Sequence, residues 1–147
     1  MGKALDYVRD NGLMSEGEYA YTGFDGGCDY DSMSPGLYRG VQGHHGVPRD
    51  SQDQLVAAIN QMPVSVGIAA DAIRLYSGGV FNNWSCGTQI DHGVLAVGYG
   101  KDGDQLWWKV KNSWGEKWGE NGFIRMERHA GYGEGICAIT QKANYPY

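Results

Sequence analysis

The sequence predicts an α+β protein in which strands outnumber helices. Helical periodicity is confined to residues 1–11 and 50–62, whereas β-prone apolar runs separated by turn residues fill the second half of the chain. The 24 glycines among 147 residues indicate many turns, and the 41% hydrophobic content argues against disorder. A chain of this length can bury one sizeable core and form one domain.

Two helices are predicted. The first covers residues 1–11 and ends before Gly12, a natural stop for a helix. The second covers residues 50–62, where Ser51 and Gln54 have the spacing of a capping box. Their apolar faces comprise Ala4, Leu5 and Val8 in the first helix, and Leu55, Val56, Ile59 and Met62 in the second.

The remaining elements are predicted from alternation and turn residues. Residues 13–49 lack a long period and are expected to form loops with short strands. Residues 64–68 and 122–128 alternate between apolar and other side chains, which indicates half-buried strands. Shorter elements are expected as a helical turn at 71–76, a strand at 80–81, a glycine-rich loop at 131–135 and a last strand after Cys137.

A β-hairpin is predicted around an Asp-Gly pair, because two apolar runs flank the polar residues 100–104. With the turn centred on Asp102, His92 would lie directly opposite Asn112. Directly opposed side chains lie on one face of a sheet, with Cβ atoms about 5 Å apart. A β-bulge would shift this register by one residue.

This pair has a chemical interpretation. An amide oxygen that accepts from one ring nitrogen fixes the tautomer of a histidine, and the other nitrogen can then exchange a proton with a nucleophile. Trp114 follows Asn112 by two residues and would cover this bond from water. The alternative is that His92 and Asn112 only occupy the end of a hairpin.

Two runs resemble the histidine and asparagine signatures of papain-like cysteine proteases, nearest to the cathepsin L and plant vacuolar endopeptidase branch. Residues 90–100 read Ile-Asp-His-Gly-Val-Leu-Ala-Val-Gly-Tyr-Gly, and residues 110–119 read Val-Lys-Asn-Ser-Trp-Gly-Glu-Lys-Trp-Gly. The resemblance covers nearly the whole chain in order. Further matches are residues 1–8, 19–21 (with Ala20 in place of proline), 61–66, 76–81, 135–137 and 145–146.

The resemblance implies the fold and a missing part. Residues 13–147 are expected to form the right domain of the family, an antiparallel, barrel-like sheet with short helices, and residues 1–12 to be a remnant helix of the left, helical domain. The family nucleophile lies in a Gln-x-x-Cys-Gly-Ser-Cys-Trp run, which this sequence lacks. The chain is therefore expected to be the C-terminal part of a protease, without the thiolate and the oxyanion-hole glutamine, and to be inactive alone.

The resemblance assigns roles around the hairpin. His92 would be the base that activates the nucleophile and protonates the leaving amine. Asn112 would orient it, Trp114 would shield their hydrogen bond, and Asp91 would have a modest electrostatic role. Trp118 would line the leaving-group side of the cleft; the alternative for Trp118 is packing at the surface.

The resemblance also places the S2 pocket, which binds the side chain two residues before the scissile bond. Gly67, Ile90 and Gly93 would form its walls, and Lys142 its far end. A lysine ammonium pointing inward would repel arginine and tolerate an acidic side chain. The alternative is that Lys142 extends to water and only its stem lines the pocket.

The cysteines and one asparagine carry further expectations. By resemblance, Cys86 pairs with Cys137, while the partner of Cys28 lies in the missing part, so Cys28 is unpaired here. The alternative is three free thiols in a reducing compartment. Asn83-Trp-Ser is the only Asn-x-Ser/Thr sequence in the chain, which makes Asn83 a candidate glycosylation site.

Composition and motifs exclude several other functions. The net charge is −5 and no basic run occurs, which argues against nucleic acid as a partner. No apolar run approaches about 18 residues, so no membrane span is predicted. The absence of Cys-x-x-Cys pairs argues against zinc, and no metal or cofactor is expected.

The expected function is peptide-bond hydrolysis by the complete protein. Its partners would be the missing N-terminal segment, peptide or protein substrates, and a propeptide or cystatin-like inhibitor. The family resemblance implies a lysosomal, vacuolar or extracellular location. The alternatives are a non-catalytic papain-like binding or structural module, and a protease with serine as the nucleophile in the missing segment.

Overall fold

The computed structural model describes residues 1–28, 38, 40–128 and 133–147. These residues form two compact units, the first comprising 1–44 with 146–147 and the second 45–145. The domain division predicted after residue 12 stays a prediction. Parts of the predicted loops at 13–49 and 131–135 lie outside the described residues.

The first unit contains helix α1, Gly2–Asn11, as predicted. No α1 side chain is buried, so the apolar face of the helix lacks full cover. Gly12 follows the helix with φ 82°, and its N–H donates to the Val8 carbonyl over 2.8 Å. An isolated bridge joins Leu13 to Tyr38 in the same unit.

The second unit contains helix α2, Gln52–Ile59, which is shorter than predicted. The Ser51 hydroxyl accepts a hydrogen bond from the Gln54 N–H, so the expected N-cap is present. The helix ends early because the Gln61 N–H bonds to the Ala58 carbonyl, three residues back, and tightens the chain into a turn. Leu55 and Ala58 face the core.

The described residues contain one mainly antiparallel sheet in the order β1-β7-β2-β4-β5-β6-β3. Its strands are β1 (His44–Gly46), β2 (Val64–Ile68), β3 (Val80–Phe81), β4 (His92–Asp102), β5 (Gln105–Lys111), β6 (Phe123–Glu127) and β7 (Ala143–Pro146). The two-residue strand β3 runs parallel to β6, whereas β2–β4, β2–β7, β4–β5 and β5–β6 are antiparallel. The α+β prediction is confirmed.

The core of the second unit lies between this sheet, α2 and the segment around residue 137. Trp108 is fully buried at its centre on β5. Other fully buried side chains are Leu55, Val64, Val66, Ile68, Ile73, Val110, Ile124, Met126, Ile136 and Ile139. Burying one such side chain contributes about 1.5–3 kcal/mol, so the strands that carry the site are held by the core.

The predicted register of the β4–β5 hairpin is wrong. The two turn residues are Gly103 and Asp104, because Asp102 pairs with Gln105, and an irregularity follows between Ala96 and Gly98. Gly103 has φ 57°, a conformation that glycine adopts without strain. His92 therefore does not lie directly opposite Asn112; its Cα partner is Ile68 on β2.

A disulfide joins Cys86 to Cys137, with Cα atoms 5.2 Å apart, as the family resemblance implied. It connects the segment before β4 to the segment before β7. Cys137 and Ala138 have φ 51° and 62°, which is left-handed backbone that non-glycine residues seldom adopt. Cys28 is unpaired and exposed.

Candidate active site

Both central residues of the site lie at strand ends that are fixed on two sides. His92 opens β4 and is half-buried beside the end of β2. Asn112 directly follows β5, and its N–H donates to the Gly122 carbonyl over 2.9 Å. The Asn112 side chain is buried, with 8% of the residue exposed. The backbone therefore holds each side chain without help from a ligand.

A hydrogen bond of 2.8 Å joins His92 Nε2 to Asn112 Oδ1. The same oxygen accepts the Ser113 N–H over 2.8 Å, which fixes the orientation of the carboxamide. Because an amide oxygen only accepts, Nε2 carries the imidazole proton in the neutral ring. Nδ1 then presents a lone pair that can accept a proton from a neighbouring acid.

The contact forms even though the two residues are not directly opposed. Continuing the β4–β5 ladder beyond Leu95 and Lys111 would set residue 114 opposite His92, which makes Asn112 a diagonal neighbour. Diagonal Cβ atoms lie about 7–8 Å apart, a gap that an imidazole and a carboxamide span together. The sequence thus predicts the contact but not its register.

One tryptophan stacks on the histidine, and a second packs against the first. The Trp114 ring stacks on His92 with a centroid distance of 5.1 Å and an interplanar angle of 24°. Trp118 meets the Trp114 ring edge-on at 5.1 Å and donates its indole N–H to the Arg74 carbonyl over 3.2 Å. Tyr76 packs against Trp118 at 5.6 Å. The predicted shielding of the His92–Asn112 bond by Trp114 stays a prediction.

Asp91 is exposed, and its carboxylate accepts a hydrogen bond from a backbone N–H. Its Oδ1 accepts the Ala70 N–H over 2.9 Å, and its own N–H donates to the Ile68 carbonyl over 3.2 Å. These two bonds pin the chain just before His92 to the end of β2. The contacts of Asp91 thus fit a role in positioning the backbone.

The residues expected to form the S2 pocket are brought together. Gly67 pairs with Gly93, and its N–H donates to the Lys142 carbonyl over 2.8 Å. A Cβ at Gly67 would lie 2.7 Å from Ile90 Cγ2 and 3.4 Å from Lys142 Cβ, so only glycine fits there. A Cβ at Gly93 would meet open space.

A cavity of about 590 Å³ adjoins Ile90 and Lys142. Its other lining residues are Arg49, Asp50, Thr88, Gln89, Glu134 and Gln141. No local pattern marks these six residues, because three separate loops bring them together. Arg74 was not predicted as a site residue either, because it contributes through its backbone carbonyl, which any residue would supply.

The part of the chain that the structure describes holds neither a three-ligand metal cluster nor a membrane-spanning helix. Across residues 1–28, 38, 40–128 and 133–147, no group of three His, Cys, Asp or Glu side chains is arranged to hold a metal ion. Within the same described residues, no helix is long and apolar enough to cross a membrane.

Comparison with known proteins gives a consistent family match. The family described as papain family cysteine protease matches residues 1–147. The chain is 42% identical over 146 residues to a KDEL-tailed cysteine endopeptidase of Arabidopsis thaliana, and 42% identical over 151 residues to vignain of Ricinus communis. These alignments cover 97% and 99% of this chain but only 40% and 41% of the relatives. The chain thus spans about two-fifths of their length.

Solved structures share the fold. The bromelain protease of Ananas comosus, in complex with an inhibitor, is 36% identical with a TM-score of 0.89, covering 99% of this chain and 67% of that one. Digestive procathepsin L 3 of Tenebrio molitor is 40% identical with a TM-score of 0.87, covering 99% of this chain and 47% of that one. The expected papain-like α+β fold is confirmed.

Proposed function

The chain belongs to the papain family of cysteine proteases, and on that premise we propose that it supplies the catalytic base and the orienting amide of a cysteine endopeptidase. The observation that carries the proposal is the 2.8 Å bond between His92 Nε2 and Asn112 Oδ1 beneath the Trp114 ring. The activity belongs to the complete protein, and the alternative is a papain-like module that binds without catalysis.

His92 performs the proton transfers. Nδ1 takes the proton of the cysteine thiol, and the resulting imidazolium stabilises the thiolate. The thiolate attacks the peptide carbonyl, and the tetrahedral intermediate collapses to a thioester as His92 protonates the leaving amine. Water then hydrolyses the thioester and restores the thiol. Asn112 keeps the ring in the tautomer and orientation that these steps require.

The thiol comes from outside this sequence. Cys86 and Cys137 are consumed in a disulfide, and Cys28 matches a family cysteine that pairs with another cysteine. The sequence also lacks the family run that carries the nucleophile and the oxyanion-hole glutamine. We therefore expect the 147-residue chain alone to be inactive.

The pocket beside Ile90 selects the substrate side chain two residues before the cut. Gly93 leaves open space at the pocket, whereas Ile90 fills the space beside Gly67 and makes one wall apolar, so bulky apolar side chains fit against it. Lys142 borders the adjoining cavity and disfavours arginine by charge repulsion.

Partners and location follow the relatives. Solved relatives include an inhibitor complex and proforms, which supports a propeptide or an inhibitor as a partner of the complete protein. One relative is KDEL-tailed, a signal for retention in the endoplasmic reticulum, and the Cys86–Cys137 disulfide suits an oxidising compartment. The proposed lysosomal, vacuolar or extracellular location fits the disulfide, whereas the KDEL tail is a property of that relative alone.

The test supplies the missing segment. The chain is refolded with, or fused to, the N-terminal segment of a relative such as vignain, and hydrolysis of a fluorogenic peptide is measured. Activity should appear, respond to a thiol alkylator, and be abolished by His92→Ala. His45→Ala is the matched control, because His45 is exposed and lies outside the site. Activity that survives His92→Ala, or turnover by the isolated chain, would refute the proposal.

A further inference from the structure

The turn between β3 and β4 presents an asparagine that no catalytic role requires. Asn83 is exposed, with φ −82° and ψ 97°. It directly precedes a short 3-10 turn, Trp84–Cys86. Its side-chain oxygen accepts the Ser85 N–H over 3.0 Å and the Ser85 hydroxyl over 2.6 Å. This Asx-turn uses only the carbonyl end of the amide, so Nδ2 is not consumed by either bond.

That geometry meets the chemical needs of an acceptor for N-linked glycosylation. The modification requires Asn-x-Ser/Thr with a residue other than proline in the middle. Here the serine hydroxyl directly contacts the amide that would be modified. Asn82 is an equally exposed neighbour, but no serine or threonine follows it at the required spacing.

The surroundings leave room for a bulky group. The Trp84 indole N–H donates to Glu127 on β6, and Cys86 is tied to Cys137, so the turn is anchored on its inner side. Asn83 is exposed and directly precedes the first of these anchors. A glycan there would extend into solvent without displacing either contact.

The disulfide supplies an independent observation about the compartment. Disulfides form and persist in oxidising compartments such as the lumen of the secretory pathway, where oligosaccharides are also transferred to asparagine. Cys86 forms its bond only three residues after Asn83. A chain that oxidises Cys86 in the lumen of the secretory pathway therefore presents Asn83 where oligosaccharides are transferred.

We propose that Asn83 is the site of an N-linked glycan. The donor is a lipid-linked oligosaccharide diphosphate. Asn83 Nδ2 forms a C–N bond to the anomeric carbon, the bond from that carbon to the diphosphate oxygen breaks, and the lipid diphosphate leaves with the electron pair. The proton lost by Nδ2 passes to a base of the transferring enzyme. This inference does not depend on the catalytic proposal.

The test is expression of the full chain behind a cleavable signal in a eukaryotic secretory host, with material from cells and medium analysed by mass. We expect a glycan mass that peptide N-glycosidase removes, leaving aspartate at residue 83 in the peptide map. Asn83→Gln and Ser85→Ala should abolish the glycan completely. Asn82→Gln is the matched control and should retain it, as should Ser85→Thr.

Two outcomes would overturn the inference. One is luminal or secreted chain that is protected from alkylation at Cys86 and Cys137 but carries no glycan. The other is a glycan that persists in Asn83→Gln. Cell-associated material is analysed as well as the medium, so a variant that folds too poorly to be secreted still gives a result.

Discussion

Replacing Glu120 by glutamine should weaken the side-chain contacts that hold β3 to the sheet. The Glu120 carboxylate accepts three contacts of 2.9–3.1 Å from the Arg125 guanidinium and a bond of 2.9 Å from the Gly79 N–H. Arg125 also donates to Asp102 and lies over the Trp107 ring. Since β3 has only two residues, its own ladder bonds are too few to hold it alone.

The magnitude follows from burial and geometry. Hydrogen bonds to charged groups contribute about 1.5–3 kcal/mol each, whereas exposed ion pairs contribute about 0–1 kcal/mol. The side chains of Glu120 and Arg125 are 29% and 24% exposed, so this pair is neither fully buried nor fully exposed. Glutamine would keep one acceptor but turn an amide N–H₂ toward the guanidinium. We therefore expect Glu120→Gln to lower the free energy of unfolding at neutral pH by about 1.5–3 kcal/mol.

The effect should depend on pH in a defined direction. The hydrogen-bonded Arg125 guanidinium lowers the pKa of the Glu120 carboxyl from its usual 4.5. A carboxyl with a lowered pKa in the folded state contributes fully above the unfolded pKa and loses that contribution as pH falls through the folded pKa. The difference between wild type and Glu120→Gln should therefore be constant near pH 7 and shrink below pH 4.5.

Urea unfolding at several pH values measures this difference, with an unchanged m-value as the sign that both proteins lose the same structure. Asp102→Asn is the matched control, because Asp102 is 54% exposed and gives Arg125 a single ion pair. It should cost less than about 1 kcal/mol. Equal losses for the two variants, or a Glu120→Gln loss that does not diminish in acid, would refute this account.

Three other outcomes are expected. Thiol titration of the denatured, unreduced chain should find one thiol, from Cys28; three would contradict the Cys86–Cys137 disulfide, whose 51-residue span gives about 4 kcal/mol in the chain-entropy model. Leu55→Ala should lower the free energy of unfolding by about 2–5 kcal/mol, because Leu55 is fully buried; a loss below 1 kcal/mol would contradict its place in the core. In the reconstituted enzyme, Lys142→Glu should lower the ratio of kcat/KM for leucine over arginine substrates, and an unchanged ratio would remove Lys142 from the pocket.

The strands of the site were predictable because their pattern is local. Alternation marked residues 64–68, and the structure places β2 there. The Asp-Gly pair marked the hairpin, but it did not specify which two residues form the turn. The turn is centred between Gly103 and Asp104, one and a half residues after Asp102, and the irregularity near Gly98 moves the register back by one residue in the index sum. No residue pattern in β4 or β5 predicts that irregularity.

The supports of the site were not predictable, because they act through backbone groups or distant segments. The Trp118 indole bonds to the Arg74 carbonyl, 44 residues away in sequence. Glu120 and Arg125 lie close in sequence, but the bond that Glu120 accepts from the Gly79 N–H depends on the parallel pairing of β3 with β6. A two-residue parallel strand carries too little alternation to reveal its partner.

The base and its orienting amide should be assembled in the chain before any nucleophile is present. His92, Asn112, Trp114 and Trp118 all lie in the unit formed by residues 45–145, and each contact among them is made within it. Assembly therefore requires only that this unit folds. If a second segment were needed to order the histidine, the bond would be absent in the isolated chain.

Nitrogen-15 spectra of the histidine rings distinguish these cases in the neutral form of the ring. We expect His92 to be protonated at Nε2, with a proton that exchanges slowly because Asn112 accepts it and Trp114 covers it. Asn112→Ala should remove the slow exchange, since the acceptor is lost. Trp114→Phe should preserve the tautomer but speed the exchange, because a smaller ring covers less of the bond. His45, which lies outside the site, is the internal reference. A His92 ring protonated at Nδ1, or one whose Nε2 proton exchanges as fast as that of His45, would contradict the assembly of this pair within residues 45–145.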